Sequence, residues 1–358
     1  MTAPDFDSYV VEQISLPFSD KPFIKVSFTD PLLDGFQVIV AKDTVTKSGK
    51  PGERITTLVT RFARSILSEF NTHRVFGRNS ASSRARSVKS VIAEVMNTPY
   101  IPVWTINKAG MSGEYASQDV ADRSTRVWLS ARDKAVSSAL QLLIDETIAE
   151  DKTDAEVAAD YEALLGKYYS EVYNKDGSES TGGLSIHKQD VNRMLEPYLF
   201  HEAVVTSTFW DNFLDLRDHD AAHPAIRAIA VLMRVALDES KPEENWIHAP
   251  FVDSAKIPAP GDFELVREPL LLSASEAAQV SYSDKSNAVK STGSTSLGVR
   301  LLGMKHFSPF EHQAIAADTF YDVVAPASTD IVTDPERLRS NLSDSWIQLR
   351  PILAGITK

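Results

Sequence analysis

The sequence predicts an α+β fold, and three observations carry that prediction. Apolar and polar side chains alternate through much of residues 22–62, apolar residues recur every three or four positions through the middle of the chain, and a Pro-rich, charged stretch follows Ser240. The chain has 358 residues, 43% hydrophobic and 24% charged, enough to bury a sizeable core in one large or two medium domains. Two regions are expected, a main α+β region over 1–240 and a C-terminal segment over 241–358.

In chain order, PFIKVSF and GFQVIVA read as strands separated by the turn-type DPLLDG, and SGKPGE (48–53) reads as a loop. From Arg61 to Phe70 the apolar residues fall at 62, 63, 66, 67 and 70, which predicts a helix. The same spacing predicts helices over 126–150 and 154–172, followed by a polar loop, NKDGSESTGG, over 174–183. Helical spacing resumes over 187–200 and from Pro224 to Leu237, where Pro suits a first turn. KPEENWIHAPFVDSAKIPAPGDFE reads as an extended connector, and a helix is predicted over 294–304. The final thirty residues show no clear period.

Composition excludes several chemistries. With no cysteine, the chain has no disulfide, thiolate metal site or cysteine nucleophile. A net charge of −12 argues against a general nucleic-acid coat. No apolar run is long enough to span a membrane, and MTAPDFDSYVVEQ lacks the pattern of a signal peptide, so the cytoplasm is the expected compartment. No GxGxxG, GxxxxGK[ST] or GxSxG element occurs. His219 and His223 have the spacing of two ligands on one helical face. They lack an HExxH context and a third ligand, so no metal site is predicted.

One segment reverses the sign of the chain. Asn71 to Ala93 carries Arg74, Arg78, Arg84, Arg86 and Lys89, one His and five Ser, with no acid. Such groups hold phosphate, although composition alone fits a solvated basic loop equally well. Little aromatic interleaving speaks against a nucleic-acid patch.

Within that segment, THRVFGRNSASSR resembles the signature of flavin-dependent thymidylate synthases: Arg-His-Arg, seven residues, then Ser. His73, Arg74, Asn79, Ser82 and Arg84 fall at the family spacing, while Thr72, Ser80 and Ala85 depart from it. NRMLEPYLF and TSTFWDNFLDLRDHDAAHPAIRAIA resemble two further family segments and align Arg193, Asn212 and Arg217, with His223 at the start of the next helix. AAQVSYSD (277–284) and HFSPFEHQA (306–314) resemble motifs that precede the Arg-His-Arg signature in short family members. Here they follow it, which implies a rearranged motif order with an added helical insertion near 126–172. Ser-Pro-Phe-Glu also reads as a helix start, with Ser308 as cap. Phe209, Trp210, Phe213, Leu214 and Leu216 read as apolar helix core, leaving Arg217 as a guanidinium that needs a partner.

The resemblance implies conversion of deoxyuridylate to thymidylate, with FAD as cofactor and methylenetetrahydrofolate and NADPH as co-substrates. It implies that Arg217 is catalytic at the uracil carbonyl edge. Glu69, Ser82, Ser83, Arg84 and Arg193 would hold the nucleotide, and His73, Arg74, Asn79, Asn212, Ser281, Ser308 and Glu311 would line the FAD, with the C-terminal segment completing the flavin site. Glu69 stands where the family commonly has Gln, which leaves base specificity open. The family also implies a homotetramer, and the acidic charge balance and the lack of a long apolar run predict neither nucleic-acid nor membrane partners. Two alternatives remain: hydroxymethylation of deoxyuridylate or deoxycytidylate, and a non-catalytic nucleotide-binding homologue. The absence of cysteine closes the thiol route to thymidylate and is compatible with the flavin route.

Overall fold

A computed structural model describes residues 3–15, 22–46, 54–108, 113–172, 186–261, 263–282, 294–324 and 334–356. The loops expected at 48–53 and 174–183 lie outside the described residues. The fold is α+β. Its larger sheet is built from β1 (Tyr9–Ile14), β2 (Phe23–Phe28), β3 (Gln37–Val45), β4 (Ile55–Ala63), β5 (Gly77–Ser80) and β6 (Phe200–Ser207) in the order β1-β2-β3-β4-β6-β5, all antiparallel. A short β7 (Glu243–Glu244) adds to β3 in parallel. A second, three-stranded sheet runs β10-β9-β8 from β8 (Ile247–His248), β9 (Ala314–Ala316) and β10 (Trp346–Gln348).

The helices are α1 (Leu67–Phe70), α2 (Val88–Asn97), α3 (Gln118–Leu143), α4 (Asp154–Ala159), α5 (Tyr161–Val172), α6 (Lys188–Arg193), α7 (Asp211–Arg217), α8 (Pro224–Glu239), α9 (Phe263–Tyr282), α10 (Ser296–Gly303), α11 (Ala317–Thr319), α12 (Pro335–Arg339) and α13 (Leu349–Ile356). Strand periodicity sorts the sheet residues between two cores. Val38, Leu58, Phe62, Ala203 and Val205 pack with α8 on one face. Ile39, Val59 and Val204 pack on the other face against Phe251 and Ala277, which come from the C-terminal half. The helices α2 to α6 bury a core of their own, and residues 247–352 build another around Ile247, Phe310 and Ile347. At the turn before β3, Gly35 adopts φ +89, and an added Cβ would meet the Phe200 ring at 2.5 Å. Arg61 lies over that same ring and donates to the Gly35 carbonyl at 2.6 Å, so this corner requires glycine.

Several expectations need correction. The helix expected from Arg61 is strand through Ala63, because β4 is buried on both faces and its apolar residues need not alternate. Only residues 64–70 turn helical. The stretch 187–200 is two short helical turns leading into β6, a sheet strand with the same two-sided burial. The long helix starts at Gln118 and ends at Leu143, and the next helical run breaks at Asp160. The connector after Ser240 supplies β7 and β8, and the final residues form α12, β10 and α13. Phe209 and Leu216 are 47% and 54% exposed, whereas Trp210, Phe213 and Leu214 are buried. Ser308 does not cap a helix: Ser308–Glu311 is a single 3-10 turn with Phe307 at its N-cap and no side-chain capping bond.

Candidate functional site

Residues far apart in sequence meet at one end of β5. Arg217 closes α7, and its Nη1 meets Glu69 Oε1 of α1 at 2.5 Å. Its Nε–H donates to His73 Nε2 at 3.1 Å. Because guanidinium only donates, His73 accepts at Nε2 and carries its proton on Nδ1. The ring sits edge-on to Phe213 at 4.8 Å and stacks on Phe76 at 6.0 Å. Burial, and then the charges of Arg217 and Arg78, push the His73 pKa down and keep the ring neutral. Arg217 thus finds an acid and an imidazole of its own chain, with its side chain 15% exposed and that of Glu69 33% exposed. Both side chains are mostly buried, with a smaller part of each reaching solvent.

The C-terminal segment reaches the same strand. Glu311 Oε1 accepts the Arg78 backbone N–H at 2.8 Å, bridging 233 positions of sequence, and its Oε2 meets Arg350 Nη1 at 2.7 Å. Burial raises the Glu311 pKa against the opposing pull of Arg350 and Arg78. Asn79 donates its side-chain N–H to the Ala277 carbonyl of α9 at 2.7 Å. Asn79 and Glu311 are therefore engaged in joining the C-terminal segment to the sheet. Ser281 lies in α9, with its side chain outside the described residues.

Beyond β5 the chain turns through Ser82, Ser83 and Arg84. Asn192 of α6 clamps this turn, donating to the carbonyls of Ser83 at 2.8 Å and Arg86 at 3.2 Å. Arg86 is held by Glu94 at 2.7 Å. Ser82 and Arg84 are exposed, and the Arg84 backbone N–H donates to Ser82 Oγ at 3.2 Å. Arg193 is exposed and meets only Asp190, at 3.2 Å, among the described residues. Arg74, Asn212 and Ser308 are also exposed, and no bond ties Arg74 to another described residue.

Thus Glu69, His73 and Arg217 form one bonded cluster, while Asn79 and Glu311 form the seam with the C-terminal segment. Ser82, Ser83 and Arg84 share one turn, with Arg193 next to the residue that clamps it. The described contacts do not join Asn212 or Ser308 to these groups. His219 and His223 do not share a helical face: His219 precedes α8 and His223 is its N-cap, accepting the Ala225 N–H at 3.2 Å. Among the described residues no group of three or more His, Asp or Glu could hold a metal ion.

Arg78, Asn192 and Arg350 escaped the sequence reading as site residues. Arg78 contributes mainly a backbone N–H, and Asn192 hides beside the more conspicuous Arg193. Nothing in the aperiodic tail singles out Arg350. No protein-family model matches the chain, and no curated protein matches it. No described helix is long and apolar enough to cross a membrane.

Proposed function

We propose that the protein is a flavin-dependent enzyme similar to the thymidylate synthases of that class, acting on a deoxypyrimidine nucleotide. The observation that carries the reading is the meeting of separated motif segments at β5. Arg217 bonds Glu69 and His73, Glu311 bonds Arg78, and Asn79 bonds Ala277. Motifs lying in an unusual sequence order are brought together in space, as a rearranged relative of the family requires.

The residues fit an anionic flavin nucleotide. Arg74 and Arg84 are exposed cations without an ion-pair partner among the described residues, and the neutral His73 precedes Arg74 in the chain. Arg74, Ser308 and Asn212 are the groups that would hold FAD, with His73 beside it. Bound FAD supplies the hydride in this reading, with NADPH as its reductant and methylenetetrahydrofolate as the carbon source. The chain's own residues position and stabilise. Ser82, Arg84 and Arg193 would hold the nucleotide phosphate through hydroxyl and guanidinium donors. Arg217 would face the pyrimidine carbonyl edge and favour negative charge developing there. His73 fixes the Arg217 fork from behind without adding charge, because its ring is neutral.

One observation favours a second reading. The Glu69 carboxylate is an acceptor beside Arg217, and an acceptor suits the exocyclic amine of cytosine as well as the ring N–H of uracil. Deoxycytidylate, with a hydroxymethyl product, is therefore the alternative. Incubating the FAD-loaded protein with each nucleotide, methylenetetrahydrofolate and NADPH, followed by mass analysis, separates the readings. A methylated deoxyuridylate supports the first and a hydroxymethylated product the second. Unmodified nucleotides from protein with bound flavin would contradict both.

A further inference from the structure

Behind the Glu311 seam, five fully buried side chains form a continuous hydrogen-bonded line. Thr44 Oγ1 lies 2.8 Å from His248 Nδ1, and His248 Nε2 lies 2.8 Å from Thr57 Oγ1. Thr57 Oγ1 lies 2.6 Å from Thr206 Oγ1, and Thr206 Oγ1 lies 2.9 Å from His312 Nδ1. All five residues are 0% exposed. The line runs from β3 through β8, β4 and β6 to His312, two residues before β9, so it crosses from one sheet to the other and back. Its far end is unfinished, because His312 Nε2 is buried without a partner.

We propose that this line is polarised in one direction and holds His312 as a neutral Nε2–H hydrogen-bond donor, making Thr44, His248, Thr57 and Thr206 positioning residues for it. Each hydroxyl donates one proton and each neutral imidazole donates from one nitrogen and accepts at the other, so only two concerted orientations exist. In the first, Thr44 donates to His248, His248 to Thr57, Thr57 to Thr206, and Thr206 to His312 Nδ1. One donor is then left over, at His312 Nε2. In the second every bond is reversed. The Thr44 hydroxyl proton then has no acceptor and His312 Nε2 has no donor, so two buried groups are unsatisfied instead of one. A buried group left without its hydrogen bond is costly, so the orientation that leaves one such group is selected over the one that leaves two.

A charge near one end helps keep the line neutral. Lys42 stands two residues before Thr44 on β3, and its buried ammonium is held by the Val252 carbonyl, Ser254 and Glu243. Burial first, and then this cation, disfavour a second proton on His248, so its ring is neutral, as a line of single donors requires. Burial keeps His312 neutral as well. The result is a fixed, uncharged donor in the Ser308–His312 segment, whose leftover N–H calls for an acceptor atom. The inference concerns the free protein, so it stands or falls independently of the proposed reaction.

The test is nitrogen NMR of the full-length protein labelled at histidine, with His248 and His312 assigned by His248→Gln and His312→Gln. At neutral pH both rings are expected to be protonated at Nε2 and bare at Nδ1. Thr206→Val should remove the bond that fixes His312 and change its ring-nitrogen signature, whereas Thr206→Ser should restore the wild-type signature. A merely structural threonine would move stability and leave the tautomer alone. His312 protonated at Nδ1 in the wild-type protein would overturn the proposal. So would an unchanged Nε2–H signature in Thr206→Val; should that variant not fold, the wild-type tautomers decide the matter alone.

Discussion

Two histidine clusters flank β5 and β6, and they are built on opposite principles. Around His73 the chain gathers full charges, Glu69 and Arg217, and leaves them partly exposed at the end of the sheet. The rings of His248 and His312 are bonded by hydroxyls, and every member of that line is fully buried. Charge is costly to bury, and a partly exposed pair keeps some contact with water. Hydroxyls bury at small cost when every bond is made, and they then tie two sheets together with a defined polarity. The first cluster is suited to meeting a molecule, the second to holding the scaffold that presents it.

That contrast breaks first at Arg217. Arg217→Ala removes the cation from the open cluster and should lower turnover on the nucleotide by about 100-fold or more while flavin absorbance of the purified protein is retained. Turnover equal to wild type would remove Arg217 from the chemistry.

Acid pH should act next, on the fully buried histidines of the cluster and on the buried His201 of β6. Burial pushes His312 down to about 3, burial and Arg64 push His201 down to about 3, and His73 and His248 are shifted in the same direction. Below the ordinary histidine pKa of 6.5 the unfolded chain binds protons that the folded chain refuses. Stability is therefore complete above about 6.5 and falls as pH drops from there toward 3, each fully buried ring contributing on the order of a few kcal/mol. Glu311, whose pKa is raised, opposes this trend in part. Urea midpoints measured between neutral and acid pH should fall steadily, and a flat profile would contradict the neutral buried rings.

The seam between the clusters should show a smaller effect. Glu311→Ala strips acceptors from the Arg78 N–H and from Arg350 and should cost about 1–3 kcal/mol in thermal or urea unfolding. Smallest is Arg193→Ala, which loses one exposed pair with Asp190. It should leave stability within about 0.5 kcal/mol and, if Arg193 holds the phosphate, weaken nucleotide affinity measured by calorimetry.

Much of the fold is legible where a boundary frames a segment. GFQVIVA follows the turn-type DPLLDG and reads as strand although β3 is buried on both faces, and the run from Pro224 opens on a residue suited to a first turn and reads as helix although α8 is buried almost all round. The failures fall where a strand and a helical turn follow one another with almost no loop between them. RFA at the end of β4 and FHEAVVTS of β6 are buried on both faces, so alternation disappears and short apolar runs mimic helix. The site was legible where it carries charge in a motif, as at Glu69, His73 and Arg217. It was illegible where the contribution is a backbone group, as at Arg78, or comes from a short helix directly after a strand, as at Arg350 in α13 behind β10. The threonine–histidine line was hidden for a related reason. Thr44, Thr57 and Thr206 look like ordinary strand residues, and only the pairing of two sheets aligns them.

The most direct test of the proposed reaction is mass analysis of deoxyuridylate after incubation with the FAD-loaded protein, methylenetetrahydrofolate and NADPH. The structure and the motifs together predict thymidylate formation that is lost in Arg217→Ala. Recovery of unmodified deoxyuridylate from protein that retains flavin would contradict it.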